Sequence, residues 1–279
     1  MDRIDPRPIG VFDSGVGGLT VLSELHRRLP GESTIYLGDN ARTPYGPRDA
    51  DEVRRFTLEA AKWLLGQDVK LLVLACNTAT ARALDIVREL SSVPVLGVVR
   101  PGAVAAAAAT RSSHVGVIAT AGTVESNAYP VAILEAAPRT EISQLACPEL
   151  VPMVEAGILD GRRAETVLRA YLEPMLMAGP RIDTLLLGCT HYPLLRPAIE
   201  RLVGDAVAVV DSAFTTAVAV EDLLDAIGAR AVADQPVRHR VATTGDPDAF
   251  VTVASRLFET GLPDVEVVRI GAAGAVPLD

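Results

Sequence analysis

Short apolar stretches rich in β-branched residues alternate along the chain with longer segments in which apolar residues return every three or four positions. The first set comprises Ile9–Phe12, Thr34–Leu37, Leu71–Ala75, Pro94–Val99, Val115–Ala119, Glu141–Ala146, Thr184–Leu187, Ala206–Val210 and Arg240–Thr243. The second includes Leu19–Leu29, Asp49–Leu65, Ala79–Leu90, Val124–Ala136, Arg162–Met177 and Thr215–Ile227. Strands and helices in turn predict an α/β protein with parallel central sheets, whose ligands bind beyond the carboxyl ends of the strands. At 279 residues the chain exceeds the needs of one ordinary core and is expected to form two lobes.

Two segments share a design. Leu71-Leu-Val-Leu-Ala-Cys76-Asn-Thr and Thr184-Leu-Leu-Leu-Gly-Cys189-Thr-His are each an apolar strand, a small residue and a cysteine, followed by polar side chains and then a helix, expected near Ala79 and Pro193. Both thiols should therefore stand at strand-to-helix turns, about one domain apart in sequence. Two similar α/β lobes facing each other across a cleft would present a thiol to each side of a bound molecule. A free cysteine often does no more than fill a core. Recurrence at one position of a repeated unit argues against that for Cys76 and Cys189, whereas Cys147, between Ala146 and Pro148, is read as structural.

The chemistry of such a pair follows from thiol acidity. A free thiol has a pKa of about 8.5, and the field of a helix N-terminus offers a negative charge up to about 2 kcal/mol, enough to make thiolate a sizeable fraction; burial opposes it. Racemisation needs one thiolate to remove a proton and one thiol to return it on the opposite face. A thiol protease or transferase needs a single cysteine driven by histidine.

Other polar groups gather at strand exits. Asp13-Ser14-Gly-Val-Gly-Gly18 follows the first strand and opens a helix, a turn suited to a carboxylate but lacking the spacing of a nucleotide loop. Asp13 is either a helix cap or a group facing Cys76. His191, two residues past Cys189, could play the matching part. Gly38 to Arg48 is too polar and too rich in proline and glycine for a core, and is expected to line the cleft through Thr43 to Gly46. Glu155 would by spacing alone be an ordinary solvated helix acid.

Composition narrows the ligand. A net charge of −9 with both signs interspersed makes nucleic acid an unlikely partner, and a small molecule is expected. The three cysteines and four histidines show neither C-x-x-C nor the spacing of a zinc helix, so no metal is expected. Met1 to Pro8 is charged and no apolar run reaches the roughly 20 residues that span a membrane, which predicts a cytoplasmic protein.

The motifs Gly10-Val-Phe-Asp-Ser-Gly-Val-Gly-Gly18, Gly38-Asp-Asn-Ala-Arg-Thr-Pro-Tyr-Gly46, Ala75-Cys-Asn-Thr-Ala79 and Leu187-Gly-Cys-Thr-His-Tyr-Pro-Leu194 resemble those of the bacterial glutamate racemases, in order and spacing. The resemblance runs from about Ile9 to Phe250. It implies a two-lobed, cofactor-independent enzyme that interconverts L- and D-glutamate for peptidoglycan, with one lobe of 1–97 plus 210–279 and another of 98–209. Carried over by position, Cys76 with Asp13 acts on the D-enantiomer, and Cys189 with His191 and Glu155 on the L-enantiomer. Asp13, Ser14, Pro44, Tyr45, Gly46, Asn77, Thr78, Thr120, Thr190 and His191 would bind substrate. A homodimer is left open, as is aspartate or another small acid as substrate. Arg100 departs from many relatives, which carry glutamate or an apolar residue there.

Overall fold

The computed structural model describes residues 5–177, 182–231, 236–258, 261–271 and 276–277. The chain begins with β1 (Ile9–Asp13), α1 (Leu19–Arg28), β2 (Thr34–Gly38), α2 (Ala50–Leu65), β3 (Leu71–Leu74), α3 (Asn77–Leu90) and β4 (Val95–Gly97). Helix α4 (Val99–Ala109) leads to β5 (His114–Ala119), α5 (Ala121–Glu125), α6 (Ala128–Ala136), β6 (Glu141–Ala146), α7 (Leu150–Glu155), α8 (Gly161–Met177), β7 (Thr184–Gly188), α9 (Arg196–Val203) and β8 (Ala208–Asp211). Helix α10 (Ser212–Ile227) precedes β9 (His239–Thr243), α11 (Pro247–Leu257), β10 (Val265–Arg269) and β11 (Val276–Pro277).

These strands form two sheets, β11-β10-β9-β2-β1-β3-β4 and β6-β5-β7-β8, parallel throughout except for the antiparallel β10–β11 pair. The first four strands of each unit have the same order, second-first-third-fourth. Each unit's first strand thus lies between the second and third, so connections leave it in opposite directions and open a crevice at its carboxyl end. Strands β1, β3, β5 and β7 are buried along their whole length, which is why they read as unbroken apolar runs rather than alternating ones. The later strands β9 and β10 extend the first sheet beside β2.

Several boundaries differ from the hydrophobic pattern. The apolar run through Val99 ends as a strand at Gly97, and Val99 already opens α4, an alanine-rich helix with no polar face to mark its period and with Pro101 tolerated in its first turn. The helix expected over Val124–Ala136 is two, α5 and α6, divided at Asn127, whose φ of 54° is left-handed. Cys189 is followed first by a 3-10 turn, Tyr192–Leu195, before α9 begins. Helix α10 starts at Ser212, three residues early, because the Asp211 carboxylate caps it by accepting the N–H groups of Ala213 and Phe214. Helix α11 and strand β10 were not expected.

Two polar clusters close the end of the first sheet remote from the strand exits. The buried Lys70 ammonium donates to the carbonyls of Asp5 and Ala229, 2.8 Å each, and pairs with Glu32, which accepts the Ala231 N–H at 2.9 Å. One cation thus satisfies the chain's first described turn and the exit of α10, as a buried charge requires. Beside it the rings of His26 and His239 stack at 3.8 Å, each bonded to the Thr34 hydroxyl at 2.9 Å. Burial, reinforced by His239, pushes His26 down to about 4, and burial lowers His239 as well.

A histidine held neutral in the fold stabilises it above the unfolded value of about 6.5 and loses that contribution as pH falls through its folded value. The thermal midpoint is expected to drop between pH 6.5 and 4, and His26→Gln to flatten that drop, as read by melts across the range.

Candidate active site

The strand exits of the two sheets face each other across a cavity of about 390 Å³, a volume suited to a small metabolite. Every sequence-predicted site residue except Asp13 lines it: Ser14, Pro44, Tyr45, Gly46, Cys76, Asn77 and Thr78 from one side, Thr120, Glu155, Cys189, Thr190 and His191 from the other. Among the described residues, neither lysine nor arginine appears in its wall. Cys147, read as structural, lines it too, beside Pro148, Val151 and Pro152; burial, with Cys189 nearby, holds its thiol up at about 12.

The two thiols occupy equivalent positions, each just beyond the third strand of its unit, but their surroundings differ. Cys76 caps α3, its sulfur accepting the Ala79 N–H at 3.4 Å and lying 3.5 Å from the Ser14 hydroxyl. Burial pushes this thiol up to about 12, with the Asp13 carboxylate adding to the effect and the Ser14 and Ala79 hydrogen bonds opposing it. The helix N-terminus is therefore outweighed by desolvation at Cys76. Asp13 itself sits behind the wall, fully buried, accepting the Gly15 N–H at 2.9 Å through one oxygen while the other has no partner among the described residues. Burial raises its pKa against the nearby His191 charge and the N–H groups of Gly15 and Gly18.

Cys189 has a basic neighbour instead. Its sulfur is 3.9 Å from His191 Nδ1, and His191 Nε2 is 3.0 Å from Glu155 at the end of α7. Burial works against a charged imidazole, yet Cys189 and Glu155 overcome it and lift His191 to about 10. At neutral pH the imidazolium places a positive charge beside the Cys189 sulfur. Glu155, unremarkable by spacing, owes its place to α7 folding back beneath this turn.

The loop after β2 is fixed by Asp39, a residue the sequence reading passed over. Its fully buried carboxylate accepts hydrogen bonds from the Tyr45 hydroxyl, Arg42 Nε at 2.7 Å and the Thr244 hydroxyl at 2.6 Å. Arg42 also pairs with Glu59 and lies over the Phe56 ring. Tyr45 is thus committed to the loop's own structure, and the cavity meets its ring and the backbone around the cis Thr43–Pro44 bond. Only the acid's place inside the Gly38-Asp-Asn motif hinted at this.

Contacts between the lobes ring the cavity. The Gly122 N–H donates to the Gly46 carbonyl at 2.9 Å, and the hydroxyls of Thr78 and Thr120 meet at 2.9 Å. Thr20 donates its hydroxyl to the Thr190 carbonyl at 3.0 Å. At Gly17 the approach is so close that a Cβ would stand 2.4 Å from Thr190 Oγ1 and 2.5 Å from the His191 ring, so only glycine fits. A larger groove, about 860 Å³, lies away from the thiols between α4, α10 and the β4 region; its wall is mostly apolar, with Arg88, Arg100 and Asp222. Among the described residues no group of three or more His, Cys, Asp or Glu is placed to hold a metal, and no helix is long and apolar enough to cross a membrane.

Facing α/β lobes with this shared site are the architecture of a racemase, an isomerase acting on a small molecule. A profile of the Asp/Glu/Hydantoin racemase family matches residues 9–222, and the chain belongs to that family. It is 46% identical to the glutamate racemase of Listeria monocytogenes serotype 4b (strain F2365) over 94% of this chain and 98% of the relative. Among solved structures it is similar to a glutamate racemase isoform from Bacillus anthracis, with a TM-score of 0.89 and 41% identity over 96% of this chain and 98% of that one. The glutamate racemase from Francisella tularensis in complex with D-glutamate gives a TM-score of 0.88 at 35% identity over 95% and 98%.

Gly17→Ala is expected to keep the fold and to lower kcat about a hundredfold, because the added methyl displaces the Thr190–His191 turn by a fraction of an ångström to an ångström. Steady-state racemisation together with a thermal melt checks both halves of that expectation.

Proposed function

We propose that the protein is a glutamate racemase that moves the α-proton between the two faces of its substrate through Cys76 and Cys189. The observation that carries this reading is the pair of buried thiols at equivalent strand exits, both in the wall of one cavity, with an imidazolium beside only one of them. The names of the relatives support glutamate as substrate, as does the D-glutamate bound to the Francisella enzyme.

In the direction from L to D, the Cys189 thiolate takes the α-proton and becomes a thiol, while the Cys76 thiol gives its proton to the opposite face and becomes a thiolate. The reverse direction exchanges the roles. His191, oriented by Glu155, compensates the charge at Cys189; Asp13, behind Cys76, takes the corresponding place on the other side. Substrate carboxylates would be held by neutral groups: the Ser14, Thr78, Thr120 and Thr190 hydroxyls and the N–H groups of the first turn of α3. Fixed donors of this kind are worth roughly 3–4 kcal/mol each to a developing anion. The same reading divides the chain into lobes of 1–97 plus 210–279 and 98–209. It places the enzyme in the cytoplasm, supplying D-glutamate for peptidoglycan without a cofactor, and leaves a homodimer open.

L-Glutamate incubated with the protein in deuterated water is expected to lose its α-proton resonance while optical activity decays to zero; unchanged substrate refutes the proposal. Cys76→Ala and Cys189→Ala should each abolish racemisation and Cys147→Ala should retain it. A panel including aspartate tests the substrate.

The pH profile adds a separate check. Because the enantiomers have equal free energy, kcat/KM must be the same in both directions at every pH. The His191 proton is held to about pH 10, so activity should fall on the alkaline side near that value as the cation beside Cys189 is lost. His191→Asn should lower the rate and remove that limb, as measured by circular dichroism of each enantiomer.

A further inference from the structure

Tyr129, on α6, is almost wholly buried at 1% exposure, and a buried phenol needs a partner for its hydroxyl. The partner is Asn77, whose Nδ2 donates to the Tyr129 oxygen at 2.7 Å. The same Nδ2 reaches Ser212 Oγ, at the start of α10, at 3.3 Å. The other face of the contact is Gly188, where a Cβ would come 2.7 Å from Tyr129 Cε2. One side chain therefore touches the residue after Cys76 and the residue before Cys189, although it does not line the cavity itself.

The Asn77 amide is left with its nitrogen committed to these hydroxyls and its oxygen, Oδ1, buried without a partner in a residue of the cavity wall. A buried unpaired carbonyl costs about 1–3 kcal/mol unless a ligand satisfies it. We infer that Tyr129 is a positioning residue of the racemase site: its hydroxyl holds the Asn77 amide with the oxygen free to accept a hydrogen bond from the substrate's ammonium group. The ring, seated on Gly188, supplies that hold from the lobe that carries Cys189, so the acceptor is set only when the two thiol turns are together. This inference rests on the proposed racemase reading.

The test is a kinetic cycle on the full chain with L- and D-glutamate. Tyr129→Phe keeps the ring on Gly188 and frees the amide; KM is expected to rise about tenfold for both enantiomers with kcat changed less than about threefold, the pattern of lost binding common to ground and transition states. In an Asn77→Ala background the same substitution should leave KM where Asn77→Ala alone puts it, since Tyr129 acts through that amide. Ser212→Ala removes the other hydroxyl partner, should raise KM in the same sense, and covers a Tyr129→Phe chain that fails to fold. A KM within twofold of the unsubstituted enzyme, or a further multiplicative rise in the Asn77→Ala background, overturns the inference. An unsubstituted enzyme inactive on glutamate refutes the racemase reading instead, so the two failures are distinguishable.

Discussion

The α-proton of an amino acid is so weakly acidic that it exchanges quickly only where base and acid are fixed on opposite faces and shielded from bulk water, and on the proposed reading the seam between the two lobes answers that constraint. Its contacts are backbone to backbone at Gly46 and Gly122, hydroxyl to hydroxyl at Thr78 and Thr120, and hydroxyl to carbonyl at Thr20 and Thr190. None of these three depends on a charged pair, and among the described residues the cavity wall has no lysine or arginine; the ion pair of Arg82 with Glu125 crosses the seam outside that wall. A cationic wall would hold glutamate's carboxylates more strongly, but it would also attract water and stabilise both thiolates at once. As it stands, a single charge, the His191 imidazolium, distinguishes the surroundings of the two thiols.

The repeated strand order explains how two lobes come to offer their thiols to one space. In each unit the chain leaves the central first strand in opposite directions, and the residue beyond the neighbouring third strand stands at the mouth of the resulting crevice. Cys76 and Cys189 are that residue. Symmetry of scaffold does not extend to charge. Where the first unit places Ser14 and Asp13 near its thiol, the second places His191 and, from α7, Glu155. Desolvation, reinforced by Asp13, prevails at Cys76 and is overcome at His191.

Much of this was legible in the chain because the elements that hold the site are buried on both faces. Strands β1, β3, β5 and β7 are buried, largely apolar runs, so Asp13, Cys76, Thr120 and Cys189 fall at recognisable edges, the last three in the cavity wall. What stayed hidden depends on contacts between distant segments. Helix α4 has no amphipathic period because its neighbours α10 and α6 cover much of it. Asp39 acquires its role from Thr244, about two hundred residues later in the chain. Tyr129 reads as an ordinary apolar position of α6, and only the approach of Asn77 from the other lobe gives its hydroxyl a partner. Cys147 is read as structural because Ala146 and Pro148 flank it, yet Pro148 lines the cavity beside it, with Val151 and Pro152 from the following turn.

The unequal thiols bear on how one site serves two enantiomers. On the proposed reading, the His191 imidazolium beside Cys189 suits a thiolate there, the form that would accept L-glutamate, while burial keeps Cys76 protonated. A turnover in that direction leaves the protons reversed, with a thiolate at Cys76, whose charged form burial and the Asp13 carboxylate disfavour. The unpartnered oxygen of Asp13 stands behind that sulfur, and burial has already raised Asp13 above the usual carboxylate range. A carboxyl whose pKa burial raises takes up a proton more readily beside a Cys76 thiolate, which lessens the repulsion between them without a cation next to Cys76. On the proposed reading, the different partners of the two thiols are therefore complementary. A permanent positive charge favours one ionised state, and a protonatable acid makes the other reachable.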